Sequence, residues 1–251
     1  MSLVNYEYKS ILMISLFGII TVVVLNIPEG YYILYPFMIL GTWFHEFSHG
    51  LTAIILGGDF HRLVLFPDGS GYAEFSYSSL FLGPIGNALV AAAGPIGPTI
   101  IGSIFLVSST NNKVTMVLLY TLAITILLST VIWVRPIIGF GFFISLIFSV
   151  VFFIIAIKGN IKFKQLTVQF IGIQAFASLY LSIGYLFSSG AIVGGTRNMS
   201  DTQVIAENLF LPYWIWAVLI VTFSIYLLVK SFLIIIKNTK SPSIVNRNEK
   251  F

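Results

Sequence analysis

The chain has 251 residues, of which 57% are hydrophobic and only 9% are charged, and its mean hydropathy is +0.98. An ordinary soluble domain carries about one quarter charged residues, so this composition excludes a soluble globular protein and predicts a polytopic membrane protein. The net charge of +4 is small and lies mostly in short loops and the tail, which gives no indication of nucleic-acid binding. The absence of cysteine excludes disulfides and thiolate metal sites.

Long apolar runs predict an all-α polytopic membrane protein with about seven transmembrane helices. No small-residue cleavage site follows the first run, so we expect it to be retained as a span and not removed as a signal peptide. We expect a single membrane domain over residues 1–251, placed in the cell membrane, with a disordered polar tail at 238–251. In chain order the predicted spans are about 11–27, 31–56, 80–107, 114–134, 137–157, 166–187 and 211–236.

Apolar and polar residues partly alternate on either side of a turn-rich segment that follows the second predicted helix. The alternation covers residues 60–77, and the stretch from Pro67 to Gly71 supplies the turn, so the segment predicts a small β-hairpin or sheet. Two interpretations of this hairpin remain open. It either offers an edge with which an extended peptide can pair, or it is a folded loop without that role.

Two histidines and a glutamate lie inside the second predicted helix. His45 and His49 are four residues apart and share a helix face, so both imidazoles can point at one metal ion, with Glu46 beside them. This HExxH pattern is typical of Zn²⁺ sites in which the glutamate is the general base. Ionisable groups cost free energy in the hydrocarbon layer, so they indicate a functional site. The alternative is a hydrogen-bonded polar cluster that holds helices together.

A catalytic zinc usually has three protein ligands, so a third ligand is needed from elsewhere in the chain. Four predicted spans separate the hairpin from the segment 196–208, which places both on the same side of the membrane and allows Asp201 to reach the metal. Asp201 is otherwise an exposed residue at the start of a short helix that Ser200 caps. Asn87 is either a hydrogen-bond donor in the active site or a helix-packing residue. The other candidates for the third ligand are Asp59, His61, Asp68, Glu74 and Glu207.

Five short motifs spread over nearly the whole chain are similar to those of a known family. They are His45 to Gly50 with Gly57-Gly58, Pro67 to Gly71, Ala93 to Gly97, Ser200-Asp201, and Leu211-Pro212 with Trp214 or Trp216. Together they resemble the site-2 protease family of intramembrane zinc metalloproteases, in its compact branch without an appended substrate-binding domain. The resemblance implies that an aspartate from a later helix, here Asp201, is the third ligand. Better-known members have glycine after this aspartate, whereas this chain has Thr202.

The HExxH pattern and the resemblance lead us to expect a zinc metalloendopeptidase that cleaves transmembrane segments, with Zn²⁺ as its cofactor. Its expected partners are a transmembrane protein substrate and the lipid bilayer, and no nucleic acid. Two other classes stay open: a catalytically inactive membrane scaffold or regulator with the same fold, and a divalent-metal transporter that uses the histidines as a transit site. The transporter is disfavoured because the other spans lack further histidine or acidic residues.

Overall fold

The computed structural model describes residues 2–76 and 81–240, and long helices dominate these two ranges. Eight helices and four short strands occur in the described residues. In chain order they are α1 (Ser2–Leu25), α2 (Gly30–Ile55), β1 (Phe60–Leu65), β2 (Gly71–Phe75), α3 (Pro84–Ser108), α4 (Asn112–Ile132), α5 (Phe140–Lys158), α6 (Ile161–Leu186), β3 (Gly190–Val193), β4 (Thr196–Met199), α7 (Asp201–Asn208) and α8 (Tyr213–Lys240).

Seven of these helices are long, and they correspond to the seven apolar runs of the sequence. Five of them, α3 to α6 and α8, are each long and apolar enough to cross a membrane. The first two helices meet this criterion only together, and they are bent by 118° at the break after Leu25. The protein is therefore an integral multi-pass membrane protein. Within the described residues it has five candidate spans, or up to six, so the predicted number of seven is approximate.

The hairpin predicted after the second helix is confirmed, because β1 and β2 pair antiparallel. Asp68 is the turn aspartate: its Oδ1 accepts hydrogen bonds from the N–H of Ser70 at 2.9 Å and from the Ser70 hydroxyl at 2.6 Å. These bonds hold the pKa of the Asp68 carboxyl below its ordinary value. The turn packs on α2, since the Thr42 hydroxyl donates to the Gly69 carbonyl at 2.6 Å. The predicted last hairpin residue, Tyr77, lies outside the described residues.

The two edges of this hairpin have different surroundings. On the β1 edge, the Leu63 N–H donates to the Trp133 carbonyl at 2.9 Å, and the Arg135 N–H donates to the Leu63 carbonyl at 3.0 Å. The segment after α4 therefore covers β1. Ala73 stands opposite Leu63 in the antiparallel register. Because the backbone groups of Leu63 point away from β2, those of Ala73 point away from β1, toward α2.

Two groups of buried side chains position the helices around α2 and α7. One joins α2, α4, α5 and β1, and includes Trp43, whose indole N–H donates to the Ser129 hydroxyl at 3.0 Å. The other joins α3, α6, α7 and α8 through residues such as Ala88, Leu179 and Ile205. Small residues let α3 approach α2 closely: a Cβ added at Gly97 would be 2.0 Å from the Ser48 hydroxyl oxygen. This interior position brings α3 between α2 and α7.

A second hairpin, which the sequence analysis did not predict, connects α6 to α7. Strands β3 and β4 pair antiparallel around Gly194 and Gly195, whose φ angles of +57° and +82° suit glycine. The short helix α7 ends at Asn208, and Ser200 caps it as predicted, by accepting a hydrogen bond from the Gln203 N–H at 3.2 Å. At the other end of the chain α8 continues to Lys240, and the rest of the predicted tail, 241–251, lies outside the described residues.

Candidate metal centre

Three side chains from two distant helices converge beside α3. His45 and His49 lie one turn apart on α2, and Asp201 is the first residue of α7. The Nε2 atom of His45 is 3.0 Å from Asp201 Oδ2, and the Nε2 atom of His49 is 3.2 Å from Asp201 Oδ1. One ligand atom of each residue lies within 4.8 Å of the others. The structure thus brings together the two histidines and the aspartate that the sequence analysis singled out.

The second ring nitrogen of His49 fixes the orientation of its imidazole. Nδ1 lies 2.7 Å from the backbone carbonyl oxygen of Val90 in α3. A carbonyl oxygen can only accept a hydrogen bond, so Nδ1 carries the proton in this contact. In the neutral ring Nε2 then presents its lone pair toward Asp201. Metal-binding histidines are usually held in this way by a hydrogen bond from the other nitrogen.

The three residues fit a bound Zn²⁺ ion by donor type and by spacing. Two imidazole nitrogens and one carboxylate are a common catalytic donor set, and ligand atoms about 2.0–2.2 Å from a tetrahedral ion are about 3.3–3.5 Å apart. The observed separations of 3.0 and 3.2 Å are close to that range. Asp201 Oδ2 is buried and accepts no aligned hydrogen bond from the described residues, which leaves it available to a cation.

The charge of Asp201 also suits a cation-binding role. The residue is buried, with 8% of its surface exposed. Burial alone raises the pKa of a carboxyl, but the imidazoles of His49 and His45 oppose this effect and are stronger, so the pKa of Asp201 lies below its ordinary value. A lowered pKa favours the anionic form of Asp201, which is the form that binds a cation.

Glu46 faces the strand that borders the site. Its side chain is buried, and the backbone N–H of Ala73 in β2 is within hydrogen-bonding reach of the carboxylate. Glu46, the two histidines and Asp201 all line one cavity of about 730 Å³. Residues of both hairpins complete the wall, and Gly194 of the second hairpin lies against the ring of Phe66. The cavity thus runs between the two hairpins above the three candidate ligands.

Comparison with protein families identifies the relationship. A family model described as Peptidase M50B-like matches residues 13–231, which is most of the chain. The chain belongs to this family. The M50B-like family is a site-2 protease family, so the protein is related to intramembrane metallopeptidases, and the resemblance seen in the sequence is confirmed. No curated protein and no solved structure matches the chain.

In the M50B-like chain, the other acidic candidates for the third ligand bind their own neighbours. Glu74 pairs with Arg62 across the first hairpin, and Asp68 binds the backbone and hydroxyl of Ser70. Asp59 Oδ2 accepts a hydrogen bond from the Ser76 hydroxyl at 3.4 Å. Glu207 Oε1 accepts one from the Gln203 side-chain amide at 2.7 Å. His61 is exposed on β1. None of these candidates except Asp68 lines the described cavity.

Asn87, the candidate for active-site support, contacts α7 and is not among the described residues that line the cavity. Its Nδ2 donates to the Asn208 Oδ1 atom at 3.1 Å. This contact links the start of α3 to the last residue of α7. The observed position fits the helix-packing interpretation of Asn87, since it fixes the end of α7 that lies away from Asp201.

The sequence analysis did not predict several residues that contribute to the M50B-like site. Val90 contributes only a backbone carbonyl, which no side-chain pattern can indicate. Tyr185 lines the cavity and donates to the Met199 carbonyl at 3.1 Å, but a single tyrosine in an apolar run carries no motif. The second hairpin did leave a signal, because two four-residue runs flank Gly194-Gly195 in the manner of a two-residue hairpin turn.

Proposed function

We propose that this protein is an intramembrane zinc metalloendopeptidase that cleaves transmembrane segments of other membrane proteins. The observation that carries the proposal is the convergence of His45, His49 and Asp201, whose ligand atoms meet within 4.8 Å although α3 to α6 separate them in the chain. Family membership supports the coarser assignment to intramembrane metallopeptidases. In this proposal the chain acts as a single membrane domain in the cell membrane.

His45, His49 and Asp201 would hold the Zn²⁺ ion. The Val90 carbonyl keeps the His49 ring turned so that Nε2 faces the site, and the ionised Asp201 balances part of the cation's charge. When bound there, Zn²⁺ supplies Lewis acidity that activates water and polarises the scissile carbonyl. Three protein ligands leave room for one more, which is the arrangement of catalytic and not structural zinc sites.

Glu46 is the general base in this proposal. It follows His45 directly on α2, so its carboxylate lies beside the ligand cluster without belonging to it. The carboxylate takes a proton from the attacking water as the new C–O bond forms. It then gives this proton to the amide nitrogen as the C–N bond breaks, so one peptide bond and one water yield a carboxylic acid and an amine, which become carboxylate and ammonium at neutral pH.

The substrate would bind as an extended chain along β2. The Ala73 C=O points away from β1 and can accept a hydrogen bond from the substrate, whereas the Ala73 N–H lies within reach of Glu46. Gly71, Tyr72 and Ala73 all line the cavity that holds the candidate ligands. Pairing with a strand edge would stretch the substrate and expose its peptide bonds, which a transmembrane helix keeps hidden. This is the first of the two interpretations that the sequence left open for the hairpin.

Metal analysis combined with one substitution tests the proposal. The purified protein is expected to contain about one Zn²⁺ per chain. Glu46→Gln removes the proton acceptor while keeping the shape, so it should retain zinc and lose cleavage of a membrane-embedded substrate. Glu207 is an acidic residue outside the cavity, so Glu207→Gln is the matched control. This variant should retain both zinc and cleavage activity.

The rival functions predict different outcomes of the same experiments. Purified protein without near-stoichiometric zinc favours the inactive scaffold or regulator. Zinc that crosses a liposome membrane with the protein favours the transporter. Cleavage that persists in Glu46→Gln removes the proposed mechanism, because no proton acceptor would then be required at that position.

A further inference from the structure

Asp201 is held in place by residues on both sides of it in the chain. The Ser200 hydroxyl donates to the Ser188 carbonyl at 2.6 Å, and the Thr202 hydroxyl donates to the Leu186 carbonyl at 2.6 Å. Both side chains are fully buried, at 0% exposure. Leu186 is the last residue of α6 and Ser188 lies two residues beyond it, so the residues that flank Asp201 connect α7 to the end of α6 and the segment that follows it.

A third hydrogen bond acts on the same junction. The Tyr185 hydroxyl, from the last turn of α6, donates to the Met199 carbonyl at 3.1 Å. Residues 199, 200 and 202 are thus each bound to the end of α6 or to the segment that follows it, and Asp201 lies between them. We call the three hydrogen bonds made by Tyr185, Ser200 and Thr202 the α6–α7 clamp.

The Thr202 bond of the clamp uses a carbonyl group that a helix leaves without a partner. The last carbonyls of a helix have no N–H to accept from within that helix, and when buried they must find another donor. Thr202 supplies such a donor to Leu186. Some other buried threonines act locally: Thr130, for example, donates to the Ile126 carbonyl of its own helix at 2.7 Å. The Thr202 bond therefore fixes one element relative to another, whereas the Thr130 bond is local.

We propose that Thr202 is a positioning residue of the metal site, acting through the α6–α7 clamp to hold the Asp201 carboxylate between His45 and His49. This inference rests on the proposed function, since it assigns a role in holding the same Zn²⁺ ion. Asp201 has its backbone fixed on both sides, and its carboxylate reaches Nε2 atoms on α2 at 3.0 and 3.2 Å. A shift of the first turn of α7 would separate the carboxylate from the imidazoles.

Isosteric substitutions test this role in the full-length protein. Thr202→Val removes the hydroxyl and keeps the shape, so zinc affinity measured by chelator competition should fall by about 10–100-fold, the usual effect of losing a group that supports a metal ligand. The absorption spectrum of the Co²⁺-loaded protein should change, because the carboxylate ligand moves. Thr202→Ser keeps the hydroxyl and should restore both readouts. The control Thr130→Val loses a buried hydroxyl of the same kind away from the site and should bind zinc like the wild type.

A second variant makes the result independent of how well Thr202→Val folds. Tyr185→Phe removes another hydrogen bond of the clamp while keeping the aromatic ring, and it should also weaken zinc binding and alter the Co²⁺ spectrum. Wild-type zinc affinity in both Thr202→Val and Tyr185→Phe would overturn the inference, as would a Thr202→Ser protein that binds as weakly as Thr202→Val. These outcomes leave the proposed function intact, whereas a wild-type protein that binds no zinc overturns both.

Discussion

Gly94 of α3 lies so close to His49 of α2 that a Cβ atom added at Gly94 would be 2.2 Å from His49 Nε2. The same Cβ would be 2.6 Å from His45 Nε2. Side-chain atoms in packed interiors do not approach one another this closely. Glycine at this position therefore leaves both ring nitrogens free to face Asp201, and α3 supports the site by providing space and the Val90 carbonyl.

Gly94→Ala should therefore weaken zinc binding. The added methyl group would force both imidazoles to move, and a shift of the His49 ring would disturb its hydrogen bond from Nδ1 to the Val90 carbonyl. We expect at least about a tenfold loss of zinc affinity, measured by chelator competition. The control is Gly184→Ala on α6, where an added Cβ would have no atom within 4 Å. Equal zinc binding by the two variants would contradict the geometry described for Gly94.

The three histidines of the chain offer a matched pair of substitutions. His49→Ala removes one proposed ligand, and a two-ligand site should release most of its zinc during purification. His61→Ala removes an exposed imidazole on β1 that lies outside the cluster, so it should leave the zinc content near one per chain. Elemental analysis of the two purified variants measures the zinc content of each. If His61→Ala loses as much zinc as His49→Ala, the metal lies elsewhere.

The bond between α2 and the first hairpin gives a prediction about substrate binding. Thr42→Val keeps the side-chain shape but removes the 2.6 Å hydrogen bond to the Gly69 carbonyl. A bond of this kind contributes about 0.5–1.5 kcal/mol to stability. We therefore expect a lower thermal-unfolding temperature and a higher KM for a membrane substrate, with unchanged zinc content. Thr167→Val, which removes an exposed hydroxyl bonded within α6, is the control. A loss of zinc in Thr42→Val would show that the hairpin supports the ligands and not the substrate.

The parts of the fold that follow from local pattern were predicted well. The apolar runs gave the seven long helices, and the helix with the HExxH pattern, expected at about 31–56, is Gly30–Ile55. Alternation around a turn gave the first hairpin. Counting spans placed Asp201 on the side of the hairpin, and its carboxylate does lie at the two imidazoles. Each of these inferences used a residue type or a periodicity that the sequence displays directly.

The features that were missed depend on tertiary packing. The first two helices are bent by 118° at the break between them. In the sequence, the same residues are indistinguishable from an ordinary loop between two spans. Gly94 looks like one of many small residues that let helices approach, and only the structure places it against His45 and His49. Thr202 stands where better-known members of the family have glycine, and its hydroxyl contact with Leu186 is visible only once α6 and α7 are packed together.

The order in which the candidate ligands occur along the chain has a consequence for biosynthesis. The histidines belong to the second helix, and the carboxylate that completes their site follows the sixth. A polypeptide that is still being inserted into the bilayer has the imidazoles long before it has Asp201. Under the proposed function, the nascent protein cannot cleave neighbouring membrane proteins until Asp201 has been synthesised.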